Sequence, residues 1–453
     1  MLRCVQATDD LRRRWRIRCC RCISRALNWA RCDTLSLQSV LRTDHRHSSE
    51  TASTGVVLSK FLIIHNEYGS PSGEESEFAT IVKTLTDHGH TVATHTRTSS
   101  EVAGNPLGKL RAALSGVYNP SSRREVSTFL GQFKPDYVIV QNLFPLISPS
   151  VLPVIAATGV PILMRVANYR LMCPNGLHLS HGRVCEKCLH GREYWCLLKN
   201  CEEDLFKSAA YALRSATARL MGFYRGNVGG YLCASRFLRD RLIAAGFEAA
   251  RLHVIPNALA DGRLRAGADA PSVGSFVGYV GRISREKGIP TLLEAARANP
   301  DIPFRLAGRV SASFSFPGSM PGNVALMGFL EGDQLAAFYQ ASRLIVSASL
   351  CFETFGMSIA EAMLNGKPVV VPDAGVFPEL VRDGVTGVLA DPTSPRAFSE
   401  RIRYLWERPD VGLEMGRAAK AWASGEYSAE RYYERLCAIL ESPILRVRPA
   451  ARE

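Results

Sequence analysis

Residues 274–288 read Gly274-Ser275-Phe276-Val277-Gly278-Tyr279-Val280-Gly281-Arg282-Ile283-Ser284-Arg285-Glu286-Lys287-Gly288. The apolar run 274–280 reads as a buried strand, and 289–298 behind it carries helical spacing. A strand-to-helix turn with glycines at both ends lets the backbone approach a ligand closely, and Arg282 and Lys287 place two cations there. Such a turn suits a diphosphate; standing alone, it reads sooner as a surface turn with solvated charges.

The same alternation continues outward in both directions. Downstream, strands at 303–308, 324–328, 343–347 and 368–372 alternate with helices at 333–341 and 357–365. Upstream, strands at 57–65, 91–96, 137–141, 161–166, 230–234 and 252–256 alternate with helices at 75–86, 123–132 and 236–245. Alternating strands and helices specify α/β architecture, with doubly wound parallel sheets covered on both faces. A loop of Ala, Gly and Asp at 260–270 separates two such series, so the site is expected in a cleft at the carboxyl ends of the strands. The expected organisation is an Arg-rich, disordered extension (1–55), a first Rossmann-like domain (56–258), a second (259–425), and a segment 426–453 that ends the chain. The run 137–164 holds no charge and could span a bilayer by length, but Pro145, Pro149, Pro153 and Pro161 break it into two strands and a loop.

The chain has 453 residues, 46% hydrophobic and 21% charged, with a formal net charge of +13. These proportions exclude a collagen-like, wholly disordered or polytopic membrane protein. The charge is unevenly spread: residues 1–59 hold eleven Arg, no Lys and five acids. The remaining residues intersperse both signs, which is a weak basis for a nucleic-acid partner, and none is expected.

The second constellation lies after strand 343–347, at Cys351-Phe352-Glu353-Thr354-Phe355-Gly356-Met357, with Glu361 inside the following helix. Free backbone N–H groups at Gly356 and Met357 can bind a phosphate or sugar oxygen, and the two carboxylates can accept from hydroxyls. Taken with Gly281-Arg282 through Glu286-Lys287-Gly288 and Glu361-Ala362-Met363, this pattern resembles the donor site of the retaining glycosyltransferases of family 4, which have the GT-B fold. The resemblance continues through Val254-Ile255-Pro256-Asn257, Gly308 and Pro378-Glu379-Leu380, and covers roughly residues 59–440.

The resemblance implies a nucleotide diphosphate sugar as donor and transfer with retention. Arg282 and Lys287 would bind the distal phosphate, Glu361 the ribose hydroxyls and Glu353 hydroxyls of the sugar. Gly73, Gly281, Gly356 and Met357 would form the rest of the donor site. Cations facing the departing diphosphate stabilise developing charge. They can stand in for a divalent metal, and the sequence contains no Asp-x-Asp pair to hold one, so no catalytic cofactor is expected.

The first domain carries Ser72-Gly73-Glu74 after its first strand, where the family often reads Gly-Gly-Glu. After strand 161–166 comes Arg165-Val166-Ala167-Asn168-Tyr169-Arg170, with Ala167 where many relatives carry a cleft histidine. Glu74, Asn168 and Arg170 are candidates for the acceptor side. Five cysteines follow between 173 and 201. Cys185-x2-Cys188 with Cys196 and Cys201 has the count of a structural zinc site, five cysteines for four places leaving Cys173 or another unassigned, and reduced buried thiols are the other reading. His178, His181 and His190 nearby are expected to face solvent. Residues 426–440 read as a final amphipathic helix, which in GT-B enzymes crosses back onto the first domain.

These readings converge on a cytoplasmic glycosyltransferase in polysaccharide or lipopolysaccharide assembly. The acceptor is a glycan or a lipid-linked glycan, and analogy implies loose contact with the inner face of the membrane. The rival is a non-catalytic nucleotide-sugar-binding or scaffold protein of the same fold.

Overall fold

The computed structural model describes residues 58–68, 72–102, 108–259, 273–442 and 445. The Arg-rich first 55 residues, the 260–270 loop and the tail from Arg446 lie outside the described residues.

The first domain is built on a six-stranded parallel sheet: β1 (Lys60–Glu67), β2 (Thr91–Thr98), β3 (Tyr137–Val140), β4 (Ile162–Val166), β7 (Gly230–Cys233) and β8 (Leu252–Val254), in the order β2-β1-β3-β4-β7-β8. Its central strands are continuous apolar runs, Phe61-Leu62-Ile63-Ile64 and Val138-Ile139-Val140, because helices cover both faces. Those helices are α1 (Gly73–Asp87), α2 (Gly108–Val117), α3 (Pro120–Phe133), α4 (Leu152–Ala156), α5 (Tyr194–Leu198), α6 (Leu205–Leu220) and α7 (Arg236–Ala244). A two-residue antiparallel ribbon, β5 (Leu179–Ser180) with β6 (Arg183–Val184), stands in the Cys-rich segment.

The second domain repeats the plan with β9 (Phe276–Val280), β10 (Phe304–Ala307), β11 (Val324–Gly328), β12 (Ser342–Val346), β13 (Val369–Pro372) and β14 (Val388–Ala390), in the order β11-β10-β9-β12-β13-β14. Its helices are α8 (Ile289–Arg297), α9 (Gly332–Ala341), α10 (Met357–Leu364), α11 (Phe377–Leu380), α12 (Pro395–Glu407) and α13 (Pro409–Glu426). The strand order reverses between β9 and β12, and in the first sheet between β1 and β3. At each reversal the loops leave in opposite directions and open a crevice at the carboxyl ends.

The final segment differs from the single helix expected over 426–440. α13 runs to Glu426, and α14 (Ala429–Leu440) starts afresh with Ser428 as its cap, whose hydroxyl accepts from Arg431 N. α14 returns to the first sheet: Tyr433 stacks on His88 and meets the His90 ring nitrogen at 2.8 Å, and Leu436 and Ile439 join the cluster of Phe61, Ile63, Ile81 and Leu85.

One residue of β1 gives the fold an acid sensitivity. His65 is fully buried and stacked on Phe78, with centroids 4.8 Å apart. Burial lowers its pKa from 6.5 to about 4, against a smaller opposing effect of Glu75. The folded chain therefore keeps the ring neutral where the unfolded chain already protonates it. Stability falls as the pH drops from about 6.5 to about 4 and levels off below, with His65 contributing up to about 3 kcal/mol of the loss. In urea titrations, His65→Phe should show a smaller loss of stability than the native chain over that interval; equal losses would discount the histidine.

Candidate active site

The turn after β9 is fixed by close backbone approaches. Gly281 donates its N–H to Ala307 O at 3.0 Å, and a Cβ on Gly308 would lie 1.8 Å from Gly281 O. Gly288 begins α8 with φ +73°, and its Cβ would fall 1.7 Å from Ala348 O, so only glycine fits between this turn and the loop after β12. Leu350 N and Cys351 N both donate to Glu286 O, at 2.9 and 3.3 Å, and join the two loops.

That joining brings Lys287 to Glu353. The ammonium lies 2.6 Å from Glu353 Oε1, and Ser349 Oγ donates to the same oxygen at 2.8 Å. Burial opposes both charges, but each partner outweighs it: Lys287 is held above the ordinary lysine range and Glu353 below the ordinary carboxylate range. Arg282 points outward, half exposed, and pairs with Glu286 at 2.6 Å.

Just beyond Glu353, Gly356 caps α10 in the left-handed region with φ +89°, and no side chain caps this end. Glu361 stands one turn in, buried, with the Tyr339 hydroxyl 3.0 Å from its Oε2. The start of α10 faces the first domain, where Gly73 opens α1 so closely that its Cβ would stand 3.6 Å from Met357 Cγ. The N-termini of two helices thus approach one another from the two sheets.

Glu74, Asn168 and Arg170 come together behind Gly73. Arg170 donates to the Tyr68 hydroxyl at 2.7 Å, Tyr68 donates to the Glu74 carboxylate at 3.1 Å, and Asn168 Nδ2 donates to Glu74 Oε1 at 3.1 Å. Burial raises the Glu74 pKa, and Arg170, Asn168 and Tyr68 only partly offset it. Ala167, at the histidine position, offers its carbonyl to Thr354 Oγ1 at 3.2 Å. Its neighbour Tyr169 donates to Glu353 O at 3.1 Å, so the loop after β4 clasps the segment that bears Glu353.

Two contributors carried no legible signal in the sequence. Tyr68 and Tyr169 are uncharged members of loops read for their other residues. Arg165, read only as part of a buried strand, bonds Glu77, Leu232 O, Ile255 O and Asn257, and Asn257 Nδ2 reaches Met357 Sδ at 3.5 Å. Glu77 lies 88 residues from Arg165 in the chain, a separation that no local pattern reports.

The five cysteines of residues 173–201 all carry free thiols. Cys188 and Cys196 are buried with Ala212 beneath Trp195, Tyr211 and Cys201. A hydrogen bond from Cys196 holds the Cys201 thiol low, and burial pushes Cys188 up to about 12. Among the described residues, no three His, Cys, Asp or Glu side chains are grouped to hold a metal ion, Cys185, Cys188, Cys196 and Cys201 included. His178 departs from expectation: it is buried, edge-on to Tyr169 at 4.8 Å and with its Nδ1 3.3 Å from Cys185 O, whereas His181 and His190 are exposed.

Two family models match the chain. Residues 72–258 fit the glycosyl transferase 4-like domain, and residues 264–422 fit the glycosyl transferases group 1. The chain belongs to the GT-B glycosyltransferases. Among relatives of the chain, a D-rhamnosyltransferase of Pseudomonas aeruginosa is 33% identical over 152 residues, 32% of this chain and 40% of the relative. The chain thus spans less than half of that relative's length. An uncharacterised 42.6 kDa protein in the cps region of Klebsiella pneumoniae is 28% identical over 291 residues, 61% of this chain and 68% of the relative. Among solved structures, the Anabaena protein HepE in complex with UDP and glucose superposes with a TM-score of 0.59 at 20% identity, over 84% of this chain and 99% of HepE. At that identity the likeness establishes the fold.

Proposed function

We propose that this glycosyltransferase is a metal-independent, retaining enzyme of the family 4 type. It moves a sugar from a nucleotide diphosphate sugar to a glycan or lipid-linked acceptor, in polysaccharide or lipopolysaccharide assembly. The observation that carries the reading is the Lys287–Glu353 pair beside the uncapped start of α10. A helix N-terminus and a cation together favour a phosphate. In the resting site Lys287 is neutralised by Glu353 and Arg282 by Glu286. An incoming diphosphate takes the place of both carboxylates, and Glu353, still held by Ser349, becomes free to accept from sugar hydroxyls.

Cleavage of the sugar–phosphate bond then builds negative charge beside Lys287 and the N–H groups of Gly356 and Met357, and Arg282, released from Glu286, turns in toward the same charge. The leaving phosphate takes the proton of the acceptor hydroxyl on the same face of the sugar, which gives retention. Glu361 binds the ribose, Gly281 and Gly73 admit the donor backbone-close, and Glu74, Asn168 and Arg170 face the acceptor. UDP and glucose bound to HepE support a nucleotide sugar as the donor class.

Purified protein, treated with EDTA and given a panel of UDP-, GDP- and ADP-sugars, should slowly hydrolyse one of them, and the first-formed sugar should keep the donor's anomeric configuration. Loss of hydrolysis on EDTA treatment would overturn metal independence, and the inverted anomer would overturn retention. A structural zinc on the cysteines is a separate proposal, resting on the Cys-x2-Cys spacing, and elemental analysis of the same preparation tests it.

A further inference from the structure

We propose that Glu379 is a positioning residue, a latch that holds the loop bearing Glu353 against the first domain. What that loop does for the sugar rests on the functional reading above; the contact stands on geometry. α7 begins at Ser235, whose Oγ accepts from Leu238 N, the third amide of the first turn, at 3.2 Å. The two amides before it, of Arg236 and Phe237, donate instead to the Glu379 carboxylate, at 2.9 Å to Oε1 and 3.1 Å to Oε2. Glu379 lies 143 and 142 residues downstream of them, in the second domain. Each oxygen takes one N–H that the helix itself leaves open, and the negative charge sits at the positive end of the helix.

The helix that carries Glu379 also touches the donor site. α11 lies so close to Gly356 that a Cβ there would stand 3.2 Å from Leu380 Cδ2 and 3.3 Å from Phe377 Cε1. From the other side α7 grips the same loop: Ser235 Oγ donates to Thr354 O at 2.9 Å, and Phe237 meets Phe352 edge-on with centroids 4.9 Å apart. Residues 352–356 are thus enclosed between α7 and α11, and Glu379 joins the two helices. The bond is suited to opening. Glu379 is exposed, so water takes over its oxygens and both amides when they part, whereas the buried Arg165–Glu77 pair has no such replacement. Lys287, Glu353 and the amides of Gly356 and Met357 all belong to the second domain and can take a diphosphate with the latch open. Gly73 and the acceptor-side groups belong to the first domain and meet the sugar only with it shut. Glu379 therefore acts on turnover more than on nucleotide binding.

Three variants isolate the contact. Glu379→Ala removes both bonds. Arg236→Pro removes one N–H and leaves α7 intact, because proline suits the first helical position and Ser235 before it is already extended, at φ −154° and ψ 161°. Arg236→Ala keeps the N–H and serves as the control. In donor hydrolysis, Glu379→Ala should lower kcat about tenfold, with KM and the calorimetric affinity for the nucleoside diphosphate within about twofold of native. Arg236→Pro should lower kcat in the same sense, Arg236→Ala should match the native chain, and Arg236→Pro added to Glu379→Ala should cost nothing further. Hydrogen exchange of the ligand-free proteins reads the latch without a donor: amides of residues 352–358 should exchange roughly three- to tenfold faster in Glu379→Ala and in Arg236→Pro, with β9 and β12 unchanged. Native-like exchange at 352–358 in both variants would overturn the latch, and so would an equal loss of kcat in Arg236→Ala or additive losses in the double variant. A native chain that hydrolyses no donor would overturn the functional reading instead, and the exchange rates would still decide whether Glu379 holds the loop.

Discussion

Lys287→Ala should slow donor cleavage about 10²–10³-fold, the loss typical of removing one fixed group that faces developing negative charge. The lysine is the cation the fold places most firmly: Gly288 beside it leaves no room for a side chain against Ala348, and the Glu286 carbonyl is tied to Leu350 and Cys351. Removing it also leaves Glu353 partly buried, with Ser349 as its remaining hydrogen-bond donor and burial working against its charge. A diphosphate would then meet a bare carboxylate, so donor affinity should fall as well as turnover. Arg282→Ala should do less, because that side chain is half exposed and pairs with Glu286 at the surface. If Lys287→Ala and Arg282→Ala lower the rate equally, the cations act as an unspecific positive field instead of a positioned pair.

The largest effect on stability is expected at Arg165. Its guanidinium is fully buried and Glu77 is 3% exposed, so each ion lies outside the reach of water. Removing one partner of such a pair strands the other, and Arg165→Met should cost about 3–5 kcal/mol in urea unfolding. Here the loss reaches further than the pair, because the same guanidinium holds the carbonyls of Leu232 and Ile255 and the Asn257 side chain where the chain leaves the first sheet. Glu77→Gln in the Arg165→Met background should return part of that stability by discharging the stranded carboxylate. A single-variant cost below about 1 kcal/mol would mean that water or a neighbour satisfies Glu77 after all.

Much of this fold could be read before the structure was seen, for a definite reason. Strands buried on both faces are unbroken apolar runs, and 137–141 and 161–166 fall within a residue or two of β3 and β4. The donor loops were legible because they combine punctuation with charge: glycines that only a left-handed or crowded backbone requires, beside Arg282, Lys287 and Glu353. What stayed hidden was of two kinds. α6 carries its large apolar groups on the outside and alanine within, so its periodicity describes the wrong face. The Arg165–Glu77–Asn257 junction depends on partners far away in the chain, and the burial of His178 on Tyr169 and Cys185, which no periodic pattern links to it. The acceptor-side residues fall between: Asn168 and Arg170 could be named, but their convergence on Glu74 runs through Tyr68, which nothing in its neighbourhood distinguishes.

The central claim is that a nucleoside diphosphate binds between Lys287 and the start of α10 without a metal ion. Calorimetric titration of UDP, GDP and ADP into the EDTA-treated native chain and the Lys287→Ala variant tests it directly. One nucleotide should bind the native chain and bind the variant at least tenfold more weakly, a difference of about 1.4 kcal/mol. Equal affinity in the two proteins, or no binding of any nucleotide to the native chain, would contradict it.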